Sequence, residues 1–265
     1  MILFPPAKIN LGLNVLRKRE DGYHEIESCL YQIPLFDSLE IIKKDSFKFV
    51  QTGLAIDSEQ ENNLVVRAFF LMKDRFSIGN VYVHLLKSIP MGAGLGGGSA
   101  DATYVLLGLN DLFELNLSYD EIRLLASELG SDCPLFIRKD VQIVKGRGEI
   151  LENINFTLQG KFLKIVNPGI HIETKEAYSN IEYSHSKPIT QVMGQSMETW
   201  KEELTNSFES TVFKKHLKIE PIKNQLYSEG ALYASMTGSG STLFGIYLEE
   251  PTLTFPTYYE KVLKL

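Results

Sequence analysis

Between residues 7 and 16, the apolar residues Ile9, Leu11, Leu13 and Val15 alternate with Lys8, Asn10, Gly12 and Asn14. A period of two predicts a strand. Its pleat would place Lys8 and Asn10 on one face, opposite the core. Shorter strand-like runs follow at 38–42 and 47–51. From Asn63 a helical apolar pattern opens, with the asparagine itself at the start. Val81, Val83 and Leu85 alternate again before Pro90. A glycine-rich segment covers 92–98, and a helix-like run extends from Ser99 to about Leu112. Ser118-Tyr-Asp-Glu121 forms a capping box for the next helix, which Gly130 can end.

Near Lys161 the pattern begins afresh. A strand at 162–166 leads to the turn Asn167-Pro-Gly169, followed by a polar stretch and helical segments through residue 229. Residues 232–247 read as strand, glycine turn, strand, and 183–195 read as a polar loop. Mixed strands and helices in this order predict two α+β domains, residues 1–155 and 156–265, meeting at a cleft.

Composition narrows the class. Apolar residues make up 44% of the 265 and charged residues 23%, the balance of a globular protein. No run approaches the ~18 apolar residues of a membrane span, and Met1-Ile-Leu-Phe-Pro-Pro has no signal-peptide pattern. A net charge of −6 without a basic stripe leaves no footprint for nucleic acid. Cys29 and Cys133 match neither a disulfide framework nor a zinc pattern, so the simplest compartment is the cytoplasm. The expected partner is a small molecule, with neither nucleic acid nor membrane; the sequence leaves the oligomeric state open.

The candidate chemistry starts at Pro90-Met-Gly-Ala-Gly-Leu-Gly-Gly-Gly-Ser-Ala-Asp101. Glycines let backbone N–H groups converge on phosphate oxygens, and the helix that follows aims its positive end at the same anion. Gly92, Gly94 and Gly97 satisfy the spacing of a dinucleotide fold. That fold needs a strand after the helix, whereas a second helix opens at Ser118. A P-loop needs a lysine before the serine, and Gly98-Ser99 has none. Taken alone, the segment says only phosphate. Three further segments stand apart from it. Pro6-Ala-Lys8-Ile-Asn10 carries a cation on a strand, Gly130-Ser-Asp132-Cys-Pro134 a carboxylate in a tight turn, and Met236-Thr-Gly-Ser-Gly-Ser-Thr242 a second glycine turn. Each alone reads equally as an edge charge, a turn cap or a hairpin.

In this order the segments resemble the motifs of the GHMP kinases. Asp21-Gly-Tyr-His24, the unbroken Gly-Leu-Gly-Gly-Gly-Ser and Leu129-Gly-Ser-Asp-Cys-Pro134 resemble those of the diphosphocytidyl-methylerythritol kinases within that superfamily. The likeness covers nearly the whole chain. It departs at Ala100-Asp101, where many relatives carry a serine at the first position. The resemblance implies an N-terminal ribosomal-protein-S5-like domain and a C-terminal ferredoxin-like domain. It implies phosphoryl transfer from ATP, with Mg²⁺ accompanying the nucleotide, to the C2 hydroxyl of a methylerythritol bearing a cytidine diphosphate. No Asp/Glu cluster dictates a protein ligand for the metal. Asp132 would accept the hydroxyl proton and Lys8 would stabilise the transferring group. Pro90, Met91, Gly92, Ala93, Gly94, Leu95, Gly96, Gly97, Gly98, Ser99 and Ala100 would form the nucleotide loop, with Asn63 near adenine. Asn10, Tyr23, His24 and Tyr178 would meet the other substrate, although Tyr23-His24 also reads as the end of a turn and Tyr178 as helix core.

Overall fold

The computed structural model describes residues 1–54, 63–179 and 181–265. Along the chain the strands are β1 (Ile2–Leu3), β2 (Pro6–Lys18), β3 (His24–Phe36), β4 (Ser38–Lys43), β5 (Lys48–Gly53), β6 (Val81–Lys87), β7 (Val141–Gly146), β8 (Ile150–Ile154), β9 (Phe162–Asn167), β10 (Tyr233–Met236), β11 (Leu243–Tyr247) and β12 (Tyr259–Lys264). The helices are α1 (Leu64–Phe76), α2 (Gly97–Leu112), α3 (Tyr119–Leu129), α4 (Thr174–Ala177), α5 (Ile189–Met193), α6 (Trp200–Glu203), α7 (Glu209–Lys215) and α8 (Glu220–Ser228). They fall into two compact units whose segments alternate in sequence. One comprises Met1–Ala7, Leu35–Met91 and Gly96–Lys139; the other comprises Lys8–Pro34, Gly92–Leu95 and Asp140–Leu265. A boundary between 155 and 156 falls in the connection from β8 to β9, inside the second unit.

The first unit sets helices on a sheet ordered β1-β4-β6-β5, in which only the β5–β6 pair is parallel. Period two turns Leu39 and Ile41 of β4 inward with Val81, Val83 and Leu85 of β6. Helix α1 answers with Val65, Ala68, Phe69 and Met72, a helical stripe. Asn63 caps α1, its side chain accepting from the Val65 N–H at 2.9 Å. The capping box expected at Ser118 is formed in full by Glu121. Gly130 follows α3 as expected, but at φ 178° it is extended rather than left-handed.

The second unit holds two sheets, ordered β2-β3-β7-β8 and β10-β11-β9-β12. Here the expectation for β2 needs correction. Pro6 to Val15 are buried on both faces, and Lys8 and Asn10 are each only 5% exposed. Strand β3 is absent from the sequence reading because buried polar residues, Glu27 and Ser28, interrupt its alternation. Residues 183–195 are not loop throughout. Ile189, Val192 and Met193 of α5 are buried, and the Ile189 N–H is accepted by Glu27 at 3.1 Å. Trp200 lies under the same segment, its indole N–H donating to the Val192 carbonyl at 3.1 Å and its ring edge-on to Tyr233.

Candidate active site

Past Lys87 the chain enters the glycine loop, where Gly92, Gly94 and Gly96 have φ of 60°, 77° and 73°. Left-handed residues in alternation turn successive N–H groups toward one side, which is how a backbone holds an anion. Gly96 is the N-cap of α2 and supplies no side-chain cap, unlike Asn63 and Ser118. The first N–H groups of α2 are thereby left for a ligand at the helix's positive end.

Within the second unit the loop residues 92–95 meet two other predicted segments. The Lys8 N–H donates to the Leu95 carbonyl at 2.9 Å. Its ammonium donates to Asn10 Oδ1 at 2.6 Å and to the Gly94 carbonyl at 2.7 Å. Asn10 Oδ1 also accepts from the Gly238 N–H at 2.9 Å and lies 3.1 Å from Thr237 Oγ1. The Asn10 amide donates to Ser28 Oγ at 2.8 Å. A Cβ on Gly94 would sit 2.0 Å from the Thr237 carbonyl oxygen, so this approach is open to glycine alone. Asn206, unmarked in the sequence, fixes the turn by donating to the Met236 and Gly238 carbonyls at 2.7 and 3.0 Å. Strand, loop and late glycine turn thus form one hydrogen-bonded knot around Lys8 and Asn10.

In the first unit Asp132 immediately precedes a 3-10 turn, Cys133–Phe136, and its carboxylate makes no capping bond. It is exposed. The Thr103 hydroxyl, buried in α2, bridges this turn to the start of the helix: Cys133 O is 2.7 Å away and Ser99 O 2.9 Å. Burial pushes the Cys133 thiol up to about 11, which removes it as a nucleophile. Asn63 spends its carbonyl oxygen on capping α1.

Of the residues expected at the other substrate, the structure brings His24 and Tyr178 together. Their rings stack at 4.5 Å and 18°. Tyr178 also packs edge-on against Phe208, half-buried against the core of the second unit. Tyr183 joins as a tilted ring 6.3 Å from His24, a contribution the polar stretch concealed. Tyr23 is 59% exposed, with the Arg147 guanidinium 5.0 Å from its ring centre. Burial, helped by Lys18, holds the His24 pKa below its ordinary value, so the ring is neutral near pH 7.

The chain matches the models of the GHMP kinases N terminal domain over residues 63–139 and GHMP kinases C terminal over residues 189–253. It is 46% identical to the 4-diphosphocytidyl-2-C-methyl-D-erythritol kinase of Parabacteroides distasonis over 95% of this chain and 93% of that one. A crystal structure of 4-(cytidine 5'-diphospho)-2C-methyl-D-erythritol kinase superposes with TM-score 0.81 at 29% identity, covering 93% of this chain and 90% of the other. Mevalonate kinase of Methanococcus jannaschii shares the fold at TM-score 0.68 and 16% identity, over 93% and 90% of the two chains. The fold is the α+β GHMP kinase fold that the motifs implied. The chain belongs to the 4-diphosphocytidyl-2-C-methyl-D-erythritol kinase family, a branch of the GHMP kinases.

Proposed function

We infer that the chain is an ATP-dependent kinase that phosphorylates the C2 hydroxyl of 4-diphosphocytidyl-2-C-methyl-D-erythritol, in the non-mevalonate route to isoprenoid precursors. The observation that carries this reading beyond kinship is the knot around Lys8. There the buried ammonium is bonded to the strand through Asn10 and to the loop through the Gly94 carbonyl, and Asn10 in turn holds the late glycine turn.

Phosphoryl transfer asks a protein for positioning and charge stabilisation more than for covalent chemistry. In our assignment the loop from Gly94 to Ser99 presents its N–H groups to the α- and β-phosphates of ATP. Mg²⁺ arrives as MgATP, and residues 90–100 together with Asn63 form the nucleotide site. Lys8 stabilises charge on the transferring group, with Asn10 fixing the direction of its ammonium. Asp132 takes the proton from the attacking hydroxyl; its carboxylate is unspent in capping and open to solvent. Tyr23, His24 and Tyr178 present aromatic faces to cytosine, and stacking on such a face is worth ~1–3 kcal/mol per base.

The direct test offers MgATP with a panel of alcohols: the diphosphocytidyl substrate, its uridyl analogue, methylerythritol phosphate, mevalonate and homoserine. We expect the first to be phosphorylated. Efficient turnover of methylerythritol phosphate would remove the cytidine requirement. Asp132→Asn should keep the fold and lower kcat by about 10²-fold or more, the range for a positioned base. A variant with wild-type kcat would exclude Asp132 from that role.

A further inference from the structure

Lys87 carries a charge that none of the chemistry above uses. It is the last residue of β6 and shares the inward parity of Val81, Val83 and Leu85, so the pleat drives its side chain into the interior. It is 1% exposed, and its ammonium donates to two carboxylates, Asp37 and Asp101, the second at 2.7 Å. These acids hold opposite ends of one segment. Asp37 Oδ1 accepts from the N–H groups of Ser88 and Ile89, at 2.6 and 2.9 Å, where the chain leaves β6. Asp101 stands in α2, where the loop ends. Between these points lie residues 90–100. The ammonium also lies directly beneath the helix start, since a Cβ on Gly97 would come within 3.2 Å of it.

Stability does not account for the cluster. Burying an ammonium between two carboxyl groups forfeits hydration about as large as their mutual attraction, burial raises the Asp101 carboxyl to about 7, and apolar residues of similar volume often serve as well. One buried oxygen, Asp101 Oδ1, has no hydrogen-bond partner among the described residues, so the arrangement is not optimised for energy. What a cation shared by two carboxylates does supply is a fixed separation between the groups that carry them.

We propose that Lys87, through Asp37 and Asp101, is a positioning residue for ATP: it clasps the two ends of the glycine loop and so sets the spacing of the N–H groups that receive the phosphates. The clasp rests on the reading of residues 90–100 as the nucleotide loop. Its effect belongs to nucleotide binding alone, because neither acid touches the groups assigned to proton transfer or to cytosine.

Asp101→Ala tests this while leaving Lys87 balanced by Asp37. We expect KM for ATP to rise roughly tenfold, with kcat and KM for the diphosphocytidyl substrate within about twofold of wild type. Asp101→Asn keeps an oxygen facing Lys87 and should return KM for ATP to within about threefold. A lowered Tm with unchanged KM for ATP in the alanine variant would make the cluster structural only and overturn the proposal. Equal losses in the alanine and asparagine variants would overturn it too, by showing that net charge matters rather than the tie. Should Asp101→Ala fail to fold, Asp101→Ser, which falls short of Lys87, is read by the same criteria. A wild-type protein with no saturable ATP dependence would instead refute the nucleotide reading itself, which separates the two failures.

Discussion

The proposed phosphate end and the proposed base end of the site are built by opposite means. Around Lys8 and the loop, backbone groups do the work. Gly92, Gly94 and Gly96 take left-handed conformations, and Asn10, Asn206 and Thr237 tie carbonyls and N–H groups into fixed positions. Around His24 the surfaces are rings, half-buried or exposed, that lean on one another. Charge is best met by dipoles that do not reorganise, whereas the face of a base is met by any flat apolar surface. Substitutions at the first should therefore act steeply, and those at the second by degrees.

The sharpest way to break this contrast is Gly94→Ala. The added carbon would fall 2.0 Å from the Thr237 carbonyl oxygen at a residue whose φ is already 77°. We expect kcat/KM for ATP to fall at least ~100-fold, since the knot must open to admit one methyl group. Steady-state kinetics with circular dichroism on the purified variant decide it; near-native rates would mean that the close approach is dispensable.

A middling effect is expected of Tyr178→Ala. Loss of one ring from the stack should raise KM for the diphosphocytidyl substrate about tenfold and leave KM for ATP unchanged. An equal rise in both would show that the ring supports the fold of its unit rather than the base.

The smallest effect is that of pH on His24. Burial and Lys18 depress its folded pKa, so the unfolded chain binds a proton at a higher pH than the folded one. The stability tied to His24 is then complete above the ordinary histidine pKa of ~6.5 and declines as pH falls through the depressed folded value. Between pH 7 and 8 the ring stays neutral, and its own contribution to KM for the cytidyl substrate should change less than about threefold. Chemical shifts of the His24 ring, followed through an acid titration, would show a midpoint below 6.5; a midpoint above that value contradicts the burial argument.

Much of this was legible in the chain, and the illegible parts share a cause. The alternation of β2 and the run of glycines announced themselves because local pattern alone produces them. The burial of Lys8 and Asn10 did not, because the groups that receive them stand far off in sequence, at Gly94 for Lys8 and at Thr237 and Gly238 for Asn10. Strand β3 was hidden by Glu27 and Ser28, polar residues made tolerable inside only by tertiary hydrogen bonds to Ile189, Asn10 and Gly12. Helix α5 was hidden because Ile189, Val192 and Met193 are its sole apolar anchors in a polar stretch. Lys87 is different. Its parity with Val81, Val83 and Leu85 marks it as inward-facing from sequence alone, and a lysine at such a position is a signal that period-two reading is able to find.

Trp200 has an optical consequence. It is the one tryptophan of the chain and is 1% exposed, with its indole N–H bonded to a carbonyl and its ring against Tyr233. Excited at the red edge of protein absorption, the chain emits from this indole, in a dry setting that shifts the emission to shorter wavelengths. The intensity and colour of that light therefore follow the packing of the second unit and carry no direct signal from the first, whereas far-ultraviolet dichroism sums over both. A single sample, heated once and watched by both methods, shows whether the units melt as one cooperative body: coincident curves mean that they do, and an early fluorescence change means that the second gives way alone.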